Sequence, residues 1–392
     1  MAQSRVVIIG GGIAGLTAAS MLKNSGLEVV LIDQANHFLF RPLLMHAVCN
    51  KLLLRDVAFS FRSLFAHNDN IRIILGKAVA VNKQAKEVRL ENNDIINYDF
   101  LVIAAGYEEE RPAFSGQPLY LSTLFDAYML QKQLLISMEK AQRKEAKNAK
   151  SLLGVAIVAK RSGGEQIAGA LAQTMEKHLL KHHLKNESYS PRIYLIEGEA
   201  CGKNVSAFLS KKGVRVIVTS QISDITDSGV VLEGMEIDAQ TVIYLGKKCP
   251  SSLLQSLETP SNASGKVLLD HDFSIPDYPE IFVLLSDPSK DCNNTKDITR
   301  LIKQSRHVGV ILRREIPKYI RPQLKLHADW DLCTLDKLHY FCFAKVWQAA
   351  ACRLYPWHGV LPILGAKRAI KTLYQCLKPF GKPPLPTLRI DG

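Results

Sequence analysis

A run of β-branched residues, Val6, Val7, Ile8 and Ile9, ends in Gly10-Gly11-Gly12-Ile13-Ala14-Gly15, and Asp33 closes the next apolar run, Glu28 to Ile32. The hexad satisfies G-x-G-x-x-G, a weak signal alone because glycine-rich turns are common. Here it follows a strand, opens a helix and precedes an acidic residue at the end of a second strand, which is the full context a dinucleotide-binding βαβ unit requires. The glycines have separate roles. Gly10 permits the tight turn, Gly12 lets the backbone approach a pyrophosphate, and Gly15, with Ala14 beside it, lets helix and strand pack closely. The helix N-terminus then favours phosphate charge. Asp33 is placed to accept hydrogen bonds from an adenosine ribose and to repel a 2′-phosphate.

The remaining chain repeats this grammar. Gly15 to Asn24 reads as a helix, and a loop-rich stretch runs to about Asn70. Short strands follow around the turn residues Asn92, Asn93 and Asp94, and Leu101 to Gly106 is a buried strand ending in glycine. Ser122 to Lys150 reads as one long connecting helix. A second βαβ pattern begins with a strand over Leu152–Ala159, a helix over Gly164–Lys181 and a strand over Arg192–Glu197. Val214–Val218, Thr241–Leu245 and Ile281–Leu285 add strands. Two βαβ halves predict an α/β protein with two Rossmann-like dinucleotide-binding domains. The expected division is a discontinuous first domain, 1–118 and 264–316, a second domain, 119–263, and a basic amphipathic C-terminal segment, 317–392.

Composition narrows the function. With 392 residues and 47% apolar content, the chain has ample core for such domains. No signal-peptide pattern precedes Arg5 and no apolar run reaches the ~18 residues of a membrane span. The eight cysteines form no CxxC pair, so neither a zinc clip nor a thioredoxin-type centre is expected, and a reducing compartment is the simplest setting. The net charge of +13 is uneven: Pro317 to Gly392 holds twelve Lys/Arg against four Asp, a net +8, and all three tryptophans.

Further motifs resemble one family. Asn36 to Leu44 (NHFLFRPLL), Asp56-Val57-Ala58 and Phe61 to Phe65 are similar to segments of the type II NADH dehydrogenases, single-chain NADH:quinone oxidoreductases that carry FAD. Tyr98 to Gly106 resembles that family's second flavin motif, Ser122 to Ala127 the start of its linking helix, and Ile281 to Asp287 its third flavin motif, whose aspartate binds the ribityl chain. The resemblance runs from about residue 4 to about residue 315. It implies that NADH donates hydride to the flavin, which passes electrons to a membrane quinone, with the cofactor supplying the chemistry. The candidate cofactor contacts are then Gly10, Gly12, Ala14, Gly15, Asp33, Arg41, Val79, Ala105, Gly106 and Asp287 for FAD, and Gly164 and Glu197 for NADH. No catalytic side chain and no metal ligand is assigned. Cys49 stands alone where related disulfide reductases carry a CxxxxC pair, and reads as a small buried hydrophobe.

The second nucleotide motif departs from the family. Ala159-Lys160-Arg161-Ser162-Gly163-Gly164 keeps only the third glycine, Gly164, and the acidic residue that follows in the family is Gln166 here. Arg161 either pairs with a phosphate through its side chain or marks the loss of NADH binding. Glu197 fits an NADH ribose contact or a solvated strand end. The quinone-linked helix start is reduced to Gln304. Between Ile363 and Lys378 the apolar residues Ile363, Ala366, Ile370, Leu373, Tyr374 and Leu377 share one helical face beside Lys367, Arg368, Lys371 and Lys378. That pattern suits either a helix lying in an anionic membrane interface or a core-packed helix with a basic face. No nucleic-acid recognition fold accompanies the charge. The expectation is a peripheral flavoenzyme on the cytoplasmic face of a membrane, a homodimer or docked on a membrane complex. Its rival is a degenerate relative that keeps FAD for a structural or interaction role.

Overall fold

In the first strand Val6 and Ile8 are buried against one apolar cluster and Val7 and Ile9 against another, so both faces of the sheet are covered. The computed structural model describes residues 3–142, 149–160, 163–181, 191–199, 202–257, 267–285 and 295–314. The elements that position the site are, in chain order, β1 (Arg5–Ile9), α1 (Ile13–Met21), β2 (Glu28–Asp33), α2 (Leu44–Val48), β3 (Ile71–Leu75), β4 (Phe100–Ile103), α3 (Leu124–Ala141), β5 (Gly154–Ala159), α4 (Gly164–Lys181), β6 (Arg192–Glu197), β7 (Val214–Val218), β8 (Thr241–Leu245), β9 (Tyr278–Val283) and α5 (Thr295–Arg314).

Two parallel sheets organise these elements. The first has the order Ser274–Ile275, β9, β4, β1, β2, β3, parallel throughout except where Ser274–Ile275 pairs with β9. Ile9 stands opposite Ile32 on one side and Ile103 on the other. The strand order therefore reverses at β1, and a crevice opens beyond the carboxyl ends of β1, β2 and β4. The second sheet has the order β7, β6, β5, β8, all parallel. Its side chains alternate in the same way: Val155 and Ile157 join the cluster that also holds Val6 and Ile8, whereas Ala156 and Val158 face another. One apolar cluster thus runs from the first sheet through α3 to the second.

Beside them lie two three-stranded antiparallel sheets, Ala78–Asn82 with Glu87–Leu90 and Ile95–Asn97, and Ile222–Thr226 with Gly229–Leu232 and Met235–Asp238. The expected turn at Asn92 to Asp94 is present, with Asn93 in the left-handed region at φ +67°. The loop expected before Asn70 instead contains a short hairpin, His37–Leu39 with Ala58–Ser60, and α2. The connecting helix also differs. It begins at Leu124 because Thr123 and Asp126 form a capping box: the Asp126 N–H donates to Thr123 Oγ1 at 3.0 Å and the Thr123 N–H to Asp126 Oδ2 at 2.9 Å. It ends at Ala141, and a separate turn covers Ala149–Leu152. The segment 317–392 and its amphipathic stretch lie outside the described residues.

α5 packs on α1 and covers one face of the first sheet. Ile298, Ile302, Ser305, Val308 and Leu312 are its buried positions, at helical spacing, while Arg300, Lys303 and Arg314 point outward. Gly309 lies at the crossing, where an added Cβ would stand 2.5 Å from Met21 Cβ. Replacing glycine in a helix gains a few tenths of a kcal/mol in propensity for valine. Overpacking a close helix contact costs about 1–3 kcal/mol, so packing decides the sign. Gly309→Val is expected to lower the unfolding free energy by that amount, read as a lower urea midpoint at unchanged slope. A midpoint equal to the parent would show that α5 does not pack this closely.

Candidate functional site

The turn after β1 is held by three close approaches. Gly10 has φ +99°, and a Cβ there would lie 2.4 Å from the Ala104 carbonyl oxygen. A Cβ at Gly15 would lie 1.8 Å from the Gly10 oxygen, and one at Gly11 would enter the Phe61 ring. Gly12 is different. It caps α1 in an extended conformation that any residue adopts, and a Cβ there would meet no protein atom within 4 Å. The protein's own packing requires glycine at 10, 11 and 15, whereas at Gly12 the missing side chain leaves open space at a helix N-terminus. The Asp33 carboxylate closes the same turn, accepting the Gly11 N–H at 2.6 Å and the Ala35 N–H at 2.7 Å.

A cavity of about 580 Å³ opens here and spans both sheets. On the first side it is walled by Ile9, Gly10, Asp33, Arg41 and Ala105, and on the second by Gly163, just before α4, and by Gln166, Ile167, Ala170 and Gln173, which share one face of α4. The antiparallel ribbon of Tyr107–Glu109 with Lys248–Pro250 contributes Tyr107, Glu109 and Lys248. The Glu109 carboxylate ties the two halves together, taking the Gly246 N–H at 3.0 Å and the Ser122 hydroxyl.

A family model for pyridine nucleotide-disulphide oxidoreductases matches residues 4–284. The chain belongs to that family. Among curated relatives, the type II NADH:quinone oxidoreductase Ndh of Mycobacterium tuberculosis is 26% identical over 308 residues, covering 72% of this chain and 66% of that one. The demethylphylloquinone reductase NdbB of Synechocystis is 27% identical over 300 residues, covering 72% and 71%. The fold is shared with NDH2 from Plasmodium falciparum, solved in complex with NADH, at a TM-score of 0.61 and 17% identity, with 99% and 80% of the two chains covered. FAD and NADH are the cofactors of these oxidoreductases.

The residues present fit a dinucleotide at the first turn: Gly10 and the oriented Asp33 carboxylate line the cavity, and Gly12 beside them is open-sided at the N-terminus of α1. The other expected contacts are placed as follows. Arg41 and Ala105 line the cavity, and Gly106, at φ +70°, follows Ala105 with open space at its Cβ position. Val79 lies at the irregularity between Ala78 and Ala80, beside the wall residues Gly76, Lys77 and Ala78. Asp287 lies outside the described residues, as do Arg161 and Ser162. Gly164 is a packing glycine: a Cβ there would lie 2.7 Å from Ala159 Cβ and 2.8 Å from Leu195 Cδ1. That contact explains why this glycine persists in a motif that has lost the other two. Glu197 ends β6, its carbonyl accepting the Thr219 N–H at 2.8 Å, away from the shared cavity.

The junction of α2 with α4 was not legible as a site. Cys49 is buried, its Sγ directed at the Ala170 carbonyl at 3.7 Å, and burial raises its pKa, so the thiol stays protonated. Lys51 Nζ donates to Gln173 Oε1 at 3.1 Å. His46 lines the cavity, and burial, with a smaller push from the Lys51 charge, holds its pKa down at about 4. These pairings need residues about 120 positions apart to meet, which no local pattern encodes.

A depressed histidine pKa has a defined effect on stability. Above the ordinary value of 6.5 the His46 ring is neutral in folded and unfolded chains alike, so folding carries no proton penalty. As pH falls from 6.5 towards 4 the unfolded chain binds a proton that the folded chain refuses, and stability is lost across that window. The urea midpoint of His46→Leu should therefore fall less than the parent's between pH 7 and pH 4.5. Parallel losses in both would show that His46 is solvated.

Proposed function

We propose that this chain is an FAD-dependent oxidoreductase that oxidises NADH and reduces a membrane quinone. The observation that carries the reading is the single cavity running from the glycine turn of the first sheet to the α4 face of the second. Two dinucleotides bound at those turns would meet ring to ring inside it. Bound FAD supplies a two-electron relay, and the chain supplies orientation. The backbone at Gly10, Gly12 and Gly15, with Ala14 in the first turn of α1, holds the pyrophosphate, and the helix terminus favours its charge. Asp33 orients the adenosine ribose, Arg41 balances negative charge at the cavity mouth, and Val79, Ala105, Gly106 and Asp287 bound the remainder of the flavin. Gly164 and Glu197 serve the NADH side. The domain division is 1–118 with 264–316 for FAD and 119–263 for NADH.

The quinone is supported by the names of the Mycobacterium and Synechocystis relatives. Among the described residues no helix is long and apolar enough to cross a membrane. The basic segment 317–392 is the element we assign to attachment on anionic lipid at the cytoplasmic face, in a homodimer or beside a membrane complex. A second reading has its own observation. The NADH-side turn has lost two glycines, so a relative that keeps FAD without turning over NADH is the alternative.

Anaerobic addition of NADH to the purified protein separates the two. On the enzyme reading the flavin absorbance bleaches, and faster with NADH than with NADPH, because the Glu197 carboxylate repels a 2′-phosphate. Equal rates would remove Glu197 from the site, and no bleaching with either nucleotide would establish the alternative.

Gly12→Val tests the FAD site itself. The variant should fold with an unchanged far-UV spectrum, because a Cβ at this position meets no atom of the described residues within 4 Å, and should be colourless, because the side chain occupies the pyrophosphate's place. A folded, fully yellow variant would show that FAD does not bind at this turn.

A further inference from the structure

His46 has a feature that core packing does not explain. It stands in α2 between the buried residues Met45 and Ala47 and is itself largely buried, yet its Nδ1 is enclosed without any hydrogen-bond partner among the described residues. A buried donor or acceptor left unpaired carries its full desolvation penalty. The ring also forms part of the wall of the shared cavity, across from Gln166 and Gln173 on α4. The charged group nearest to it is Lys51, whose backbone N–H donates to the His46 carbonyl at 2.9 Å and whose ammonium is held against Gln173. A second positive charge on the ring is opposed by that neighbour and by burial, so the imidazole is neutral at physiological pH.

A neutral imidazole carries one N–H. Placing it on Nδ1 would enclose an unpaired donor, so the proton belongs on Nε2, at the opposite edge of the ring. We propose that His46 is a binding residue of the shared cavity, its Nε2–H donating a hydrogen bond to a ring-borne carbonyl oxygen of the molecule held there. An uncharged donor suits an uncharged carbonyl, and among the described residues no side chain or carbonyl is the partner of this ring. Three ligands of the proposed reaction carry such an oxygen: the flavin ring, the nicotinamide amide and the quinone. The inference rests on the flavoenzyme reading above. A colourless parent protein would sink that reading, whereas a yellow parent leaves this one to be tested separately.

The experiment compares full-length, flavin-loaded parent, His46→Leu and His46→Gln. Leucine fits the apolar surroundings of Met45 and Ala47 and removes the unpaired nitrogen, so the urea midpoint at pH 7 in excess FAD should be unchanged or slightly raised. Losing one hydrogen bond corresponds to about a tenfold effect on the ligand concerned. A shifted flavin absorbance maximum and midpoint potential assigns the bond to the flavin. A roughly tenfold higher KM for NADH, or for a water-soluble benzoquinone, with an unaltered flavin spectrum, assigns it to that substrate. In either case His46→Gln, whose amide N–H reaches the position of Nε2, should recover part of the effect. If His46→Leu matches the parent in spectrum, potential and both KM values, the proposal is wrong. A fall in the urea midpoint as its only change would make His46 a structural residue and overturn it equally.

Discussion

The contact between Gly15 and the Gly10 carbonyl fixes the rest of the first half. With 1.8 Å between that oxygen and the place a Cβ would occupy, α1 can cross β1 only if residue 15 has no side chain. The crossing sets α1 against Ile8, provides the surface on which α5 packs, and aims the N-terminus of α1 at the carboxyl ends of the central strands. One steric allowance of a few atoms thus decides both how the core closes and where an anion finds unpaired backbone N–H groups. Asp33 is part of the same unit, since its carboxylate is spent partly on the Gly11 and Ala35 amides that hold the turn.

The second half is joined through a narrower set of interactions. Glu109 takes the Gly246 amide, a three-residue ribbon pairs Tyr107–Glu109 with Lys248–Pro250, and Cys49 and Lys51 reach Ala170 and Gln173 of α4. The polar contacts line the shared cavity, while the apolar continuity through Leu121, Leu130 and Leu171 supplies most of the burial. The arrangement leaves a cavity whose walls mix apolar residues such as Ile9, Ile167 and Leu253 with a few positioned polar groups, the character of a small-molecule site.

The second glycine motif reveals how separate the packing and binding roles of such residues are. Gly164 is enforced by Ala159 and Leu195, which leave no room for a Cβ, so the helix still lies close on its strand after the binding glycines have gone. The fold of this half is therefore indifferent to whether a nucleotide binds there. At the first turn the opposite holds for Gly12, which the fold does not need. The motif already separates these roles in the sequence, and the distances give each its steric measure.

The parallel strands, the two βαβ halves and the first glycine turn were determined by sequence alone, because they rest on local periodicity and on residues within one turn of each other. β6, β7 and β8 stand where their apolar runs end, and Asp33 stands where the strand must finish. The tertiary structure decided the rest. The unbroken helix expected from Ser122 to Lys150 ends at Ala141, and the loop before Asn70 gains α2, whose single exposed ring edge at His46 enters the cavity wall. Neither outcome follows from propensity. α2 is a five-residue helix, too short to be stable without the faces of α3 and α4 against it, and a histidine's character depends on what surrounds it once those faces meet.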